Sequence, residues 1–162
     1  MSIFSLPGIF PTFPRGCSHG YVRQRLPFRK DRELRSALFR ILGFYPQNIE
    51  YYKIAFAHKS QAFRDKSGKP VNNERLEFLG DAVIESITSD YLFIEYPDYD
   101  EGKLTKLRSK LVSRQSLNAI ACKLGLDKHI ICCRSINATQ KHIFGDAFEA
   151  MMGAIYLDQG YN

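Results

Sequence analysis

No apolar run in this 162-residue sequence approaches the roughly 20 residues that a membrane-crossing helix needs. The opening stretch MSIFSLPGIFPTFPRG is apolar, but Pro7, Pro11 and Pro14 interrupt it and no basic segment precedes it. It makes a poor secretory signal, and a cytoplasmic location without a membrane partner is expected. Cysteine is sparse and unpatterned: Cys17, Cys122, Cys132 and Cys133 form no CxxC pair, and the histidines are not spaced with them as zinc ligands. Reduced, mostly buried thiols are expected. Strand-like alternation of useful length is lacking, and so is any internal repeat. These absences exclude a disulfide scaffold, a zinc module and a solenoid, and they leave an all-helical globule.

Hydrophobic residues make up 44% of the chain, too many for a disordered protein and enough for one packed domain. The net charge of +6 favours a polyanionic partner without identifying one. Residues 1–30, rich in Pro, Gly and Arg, read as an irregular basic arm, and residues 31–162 as the folded domain. Leu34, Leu38, Ile41 and Leu42 recur at helical spacing until Gly43 stops the run. Asn48 is a plausible cap for a helix reaching about His58, and Gln61–Val71 reads as a loop. A long helix is predicted from Asn72 or Asn73 to just before Pro97, with Leu76, Leu79, Val83, Ile87 and Tyr91 as its apolar stripe. Glu101–Leu111 is amphipathic, with Leu104, Leu107 and Leu111 inward and Lys103, Lys106 and Lys110 on the opposite face. Ser113 caps a further helix closed at Gly125. Asn137-Ala-Thr-Gln140 resembles a capping box opening a last helix to about Leu157, with Gly160 as its terminator.

Two acidic pairs stand out. Glu77 and Asp81 lie one turn apart on the long helix, with Glu74 and Glu85 one turn to either side, and Asp146 and Glu149 share a face of the last helix. Like charges stacked this way destabilise a helix by a few tenths of a kcal/mol per pair. Solvated acids on amphipathic helices are the ordinary explanation of such spacing. The surroundings weaken it, because both pairs sit among Leu, Phe, Gly, Ala, Val, Ile and Met, where a bare carboxylate is expensive. A cation between the carboxylates would relieve the cost, and hard oxygen ligands select Mg²⁺ or Mn²⁺. Small residues at 145, 147, 150, 153 and 154 would let a second helix approach closely.

Asn73-Glu-Arg-Leu-Glu-Phe-Leu-Gly-Asp-Ala-Val83 resembles the signature of the ribonuclease III family without departure. Ala57-His-Lys-Ser60 resembles the family's His-x-Ser element. Glu101-Gly-Lys-Leu-Thr-Lys-Leu-Arg-Ser-Lys-Leu-Val112 resembles its EGxLxxLRxxLV helix, and Gly145–Asp158 its second acidic motif. The resemblance covers roughly residues 34–161, in the family's order.

It implies an all-α endonuclease domain of bacterial type that hydrolyses double-stranded RNA with Mg²⁺ (Mn²⁺ substituting) and no small-molecule cofactor. The implied products carry 5′-phosphate and 3′-hydroxyl ends, and the implied roles are ribosomal and messenger RNA processing. Glu77, Asp146 and Glu149 stand where the family coordinates metal, with Glu149 and Asp81 as catalytic positions. All four being acidic speaks for an active enzyme rather than the alternative, a non-catalytic dimeric RNA-binding module of the same fold. A helical DNA-binding regulator finds support in the charge alone. Phe78 matches an aromatic that enters the partner subunit in a homodimer; without that match a core phenylalanine is the favoured reading. Glu101 matches an acidic position near the scissile strand, and Glu74 with Arg75 suits either a local ion pair or the wall of the RNA-cutting valley. Lys103, Lys106 and Lys110 suit phosphate contact or a solvated face, and both readings stand. His58 reads as a helix-end or core histidine. No stretch offers the αβββα order of the family's double-stranded RNA-binding domain, so that domain and the last catalytic-domain helix are expected to be missing from these residues.

Overall fold

The computed structural model describes residues 31–61, 63–132 and 142–161. They form six α-helices, α1 (Asp31–Leu42), α2 (Ile49–Ala55), α3 (Glu74–Glu95), α4 (Glu101–Leu111), α5 (Arg114–Lys123) and α6 (His142–Gln159), with short 3-10 turns at Lys59–Gln61 and Leu126–Lys128. Isolated bridges, Ala57 with Ile131 and Arg64 with Pro70, are the only extended pairings among the described residues. The fold is all-α. The arm at 1–30, Cys17, Cys133 and the expected capping box at 137–140 lie outside the described residues.

Helix α6 is the hub, packed on α3 most extensively and on α5 and α2 at its sides. Its buried face is built of small residues, Gly145, Ala147, Ala150, Gly153 and Ala154, with Ile143 and Met151. Side chains this short let a neighbouring backbone come close. A Cβ added at Gly80 of α3 would lie 1.7 Å from the Glu149 carbonyl oxygen, and one at Gly153 would lie 2.4 Å from that of Leu76. The two helices therefore touch backbone to backbone, which no larger residue at either position would permit. Tyr52, Phe56, Leu38, Leu126 and Met151 form the fully buried centre of the core.

Polar clasps fix the frame. Asp158, in the last turn of α6, accepts from the backbone N–H groups of Gln47 (2.9 Å) and Asn48 (2.6 Å) and from the Tyr52 hydroxyl (3.0 Å). It thereby satisfies donors ahead of α2, where Asn48 also caps through Glu50 N–H at 3.1 Å. Lys53, buried, is held by Asp31 at 2.7 Å and Glu50 at 2.9 Å.

Four expectations need correction. Helix α2 ends at Ala55 rather than near His58, because the next backbone groups pair across the chain: Ile131 N–H with the Phe56 carbonyl and His58 N–H with that of Ile131. On α3, Leu76 and Val83 are buried as expected, but Ile87 and Tyr91 are 43% and 56% exposed. Helix α4 approaches the side bearing Ser89 and Leu92, where Arg108 donates to the Ser89 hydroxyl at 3.0 Å, so the apolar stripe shifts to Ile84 and Leu92. Leu111 is 45% exposed rather than inward, being at the last residue of α4. Cys122 is exposed and Cys132 half-buried, so these thiols are not core residues. The last helix runs two residues past Leu157 and stops at Gly160, whose φ of +88° is the left-handed conformation that glycine adopts without strain.

Candidate metal centre

The crossing of α3 and α6 sets the site. Glu77 sits one turn before Gly80, and Glu149 presents its own backbone to Gly80, so the closest approach of the helices falls beside these two side chains. Asp146, one turn before Glu149, lies on the same face. A carboxylate oxygen from each of Glu77, Asp146 and Glu149 lies within 4.8 Å of the other two. All three side chains are half-buried.

Burial and mutual repulsion raise their proton affinities. For Glu77 the causes are burial first and then Asp146. For Asp146 burial dominates, opposed by Arg114, His142, His58 and Lys59. Glu149 is pushed up to about 7, by burial and then by Asp81, Glu77 and Asp146. Asp81 is exposed and stands on the rim as the strongest charge acting on Glu149. The donors are oxygen only and anionic, and they crowd a pocket that disfavours their own charge. That set suits a hard divalent cation.

The surroundings are ordered by hydrogen bonds. Helix α5 is docked on α6 by Asn118, whose Oδ1 accepts from Gly145 N–H at 2.7 Å. On the opposite side, Asn72 Oδ1 accepts from Glu74 N–H at 3.1 Å, and Asn73, buried, makes no side-chain cap bond. The His58 ring Nδ1 accepts the Ser60 N–H at 3.2 Å and lies 2.9 Å from the Ser60 hydroxyl. Its proton therefore belongs on Nε2 when the ring is neutral, and burial lowers its basicity.

The other sequence candidates fall elsewhere. Glu74 is exposed and engaged by Lys59 at 3.1 Å and by Asn72 at 2.9 Å. Glu101 accepts from the Thr105 hydroxyl at 3.0 Å and lines a groove between α3 and α4. Lys103 lies 3.6 Å from Asp100 and over the Tyr99 ring, while Lys106 and Lys110 are exposed. None of these lysines is among the strongest charges acting on the cluster. Phe78 is 83% exposed, which excludes a core role within this chain; beside it lies a groove lined by Tyr51, Leu76, Leu79 and Leu157. Sequence reasoning missed Arg114 and Lys59, whose charges act on the carboxylates, since nothing in their spacing ties them to acids on other helices.

Comparison with known proteins decides the family. The Ribonuclease III domain model matches residues 74–160, the stretch from the start of α3 to the end of α6. The chain belongs to the ribonuclease III family. It is 51% identical over 137 residues to ribonuclease 3 of Bacteroides fragilis, covering 85% of this chain and 47% of that protein. It is equally identical to ribonuclease 3 of Bacteroides thetaiotaomicron, covering 85% and 44%. The chain thus spans about half the length of the curated relatives it matches. In three dimensions it is similar to the nuclease domain of ribonuclease III from Campylobacter jejuni, with 36% identity and a TM-score of 0.68 over 77% of this chain and 86% of that one. That domain is described as structurally flexible in a region involved in dimer formation. Dicer from Pichia stipitis is a more distant likeness, at 29% identity and a TM-score of 0.56 over 74% and 50%. In this ribonuclease III chain, then, carboxylates from two separate motifs meet at one point, with Asp81 beside them.

Proposed function

We propose that this chain is the catalytic domain of an endoribonuclease that hydrolyses phosphodiester bonds in double-stranded RNA. The observation that carries the reading is the convergence of Glu77, Asp146 and Glu149 within 4.8 Å of one another. Those three side chains would hold Mg²⁺, or Mn²⁺ in its place, and Asp81 would orient water at the rim beside Glu149. An ion held there would supply a water of lowered pKa and neutralise charge on the phosphate. The water oxygen forms the new bond to phosphorus, the bond to the 3′ oxygen breaks, and the proton lost by water is matched by one gained on the leaving oxygen. The products carry 5′-phosphate and 3′-hydroxyl ends.

Carboxylates that repel one another when unoccupied favour this chemistry, since their charge is matched only with a cation present. RNA duplexes are recognised by shape and 2′-hydroxyls, so little base preference is expected. Precursor ribosomal RNA and structured messenger RNA in the cytoplasm are the substrates that the family relationship favours. Two copies would associate through Phe78, whose exposure beside an apolar groove suits insertion into a partner chain.

Duplex RNA incubated with Mg²⁺ and with EDTA tests the reading. Cleavage should require Mg²⁺, and Glu149→Gln should remove it while duplex binding survives. Cleavage by that variant at the parent rate would refute the assignment, and binding without cleavage by the parent would favour a non-catalytic RNA-binding module.

A further inference from the structure

Among the described residues, Arg114 and Lys59 are the Arg and Lys side chains whose charge acts on the carboxylate cluster. Lys59 is already committed, 3.1 Å from Glu74. Arg114 is not: it is exposed, and among the described residues its guanidinium has no ion pair or hydrogen bond. Its backbone position is set by the helix that carries it. Arg114 is the first residue of α5, whose start is capped by the Ser113 hydroxyl accepting from Ser116 N–H at 3.3 Å. One turn on, on the same face of α5, Asn118 grips Gly145 N–H at 2.7 Å. Gly145 immediately precedes Asp146, and a Cβ there would come within 3.2 Å of the Asn118 oxygen. The docked face of α5 thus carries Arg114 to the edge of the carboxylate site. Its charge acts mainly on Asp146 and more weakly on Glu77 and Glu149.

Among the described residues Arg114 pairs with none of the three carboxylates, although α5 docks beside Asp146. The carboxylate oxygens lie within 4.8 Å of one another, and the exposed Arg114 leaves its guanidinium fork open to solvent. A planar fork matches two oxygens of a phosphate and holds them in a fixed orientation. Accepting that the cluster holds a metal for phosphodiester hydrolysis, we propose that Arg114 binds the non-bridging oxygens of the phosphate under attack. It would hold that phosphate from the α5 side while the carboxylates hold the cation on the other. Arg114 is then a catalytic residue, adding stabilisation as charge builds on those oxygens.

Arg114→Gln and Arg114→Lys, compared with the parent and with Glu149→Gln, test this. With Mg²⁺ saturating, the single-turnover rate on duplex RNA should fall about 100-fold in Arg114→Gln and recover in part in Arg114→Lys. Mg²⁺ affinity without RNA, measured by calorimetry, should move the other way and rise by about threefold, because a repelling charge has gone. A residue that merely shaped the carboxylates would weaken Mg²⁺ binding when replaced, so that result would overturn the proposal. So would an Arg114→Gln variant that cuts at the parent rate while Glu149→Gln does not cut, and this pattern would leave the nuclease reading intact. A parent that leaves duplex RNA whole in Mg²⁺, or a Glu149→Gln variant that cuts normally, would overturn the nuclease reading and this proposal with it.

Discussion

Adding a single methyl group at Gly80 should damage fold and site together. The new Cβ would stand 1.7 Å from the Glu149 carbonyl oxygen, 2.5 Å from its carbon and 3.0 Å from Gly153 N, whereas ordinary contact begins at 3.4 Å. The obstacle is backbone, so no side chain can swing aside, and the helices must part by about 1.7 Å. Overpacking costs about 1–3 kcal/mol, and opening the largest interface of the domain forfeits dispersion contacts along it. A total near 3 kcal/mol is a large share of the roughly 5–15 kcal/mol that stabilises a typical domain. It should lower the melting temperature by about 10 °C. Glu77 and Glu149 ride on the two helices being forced apart, so the stabilisation conferred by Mg²⁺ should shrink as well. Thermal unfolding followed by circular dichroism, with EDTA and with Mg²⁺, measures both effects. Gly102→Ala is the control: the only nearby atom there is an Asp100 carboxylate oxygen at 3.4 Å, so a helical alanine should be neutral or stabilise by up to about 1 kcal/mol. If Gly80→Ala melted within a couple of degrees of the parent and kept its Mg²⁺ response, the reasoning from helix contact to metal site would be wrong.

Three further outcomes are expected. Glu149 takes up protons in the folded chain at about 7, against 4.5 ordinarily, so its contribution is fully present below about 4.5 and is lost as pH rises through about 7. The metal-free melting temperature should therefore fall across that window, Mg²⁺ should flatten the curve, and binding near pH 6 should release protons, as calorimetry in buffers of different ionisation heat would record; a flat metal-free profile would contradict the crowding of the carboxylates. Asp158→Ala should cost about 2–4 kcal/mol, because it strands two backbone donors and the Tyr52 hydroxyl, and a denaturant midpoint equal to the parent's would refute the clasp. Phe78→Ala should leave the stability of a single copy within about 0.5 kcal/mol, since the ring is 83% exposed, yet shift sedimentation from dimer to monomer; unchanged sedimentation would remove Phe78 from the interface.

Much of the chain was legible before the fold was known, for local reasons. Asn48, Ser113, Gly43, Gly125 and Gly160 act on backbone groups within a turn of themselves, so helix ends at 42, 49, 114, 123 and 159 follow from short-range chemistry. Where partners came from afar the reading failed. Helix α2 ended early because Ile131 takes its next backbone groups. The stripe on α3 turned because α4 packs against Ser89 and Leu92. Periodicity reports that a face is apolar, not which part of it another helix will cover.

The carboxylates divide in the same way. Their residue types, their one-turn spacing and the small residues around them are properties of the sequence, and they determined that each helix would carry an acidic face able to pack closely. Only the tertiary structure decided that Gly80 meets Glu149 and Gly153 meets Leu76, which brings three acids to one point and leaves Asp81 on the rim. It also decided that a third helix, α5, docks beside them through Asn118 and Gly145. Convergence of this kind is a matter of crossing position and docking between elements far apart along the chain, and no local preference of the backbone encodes it.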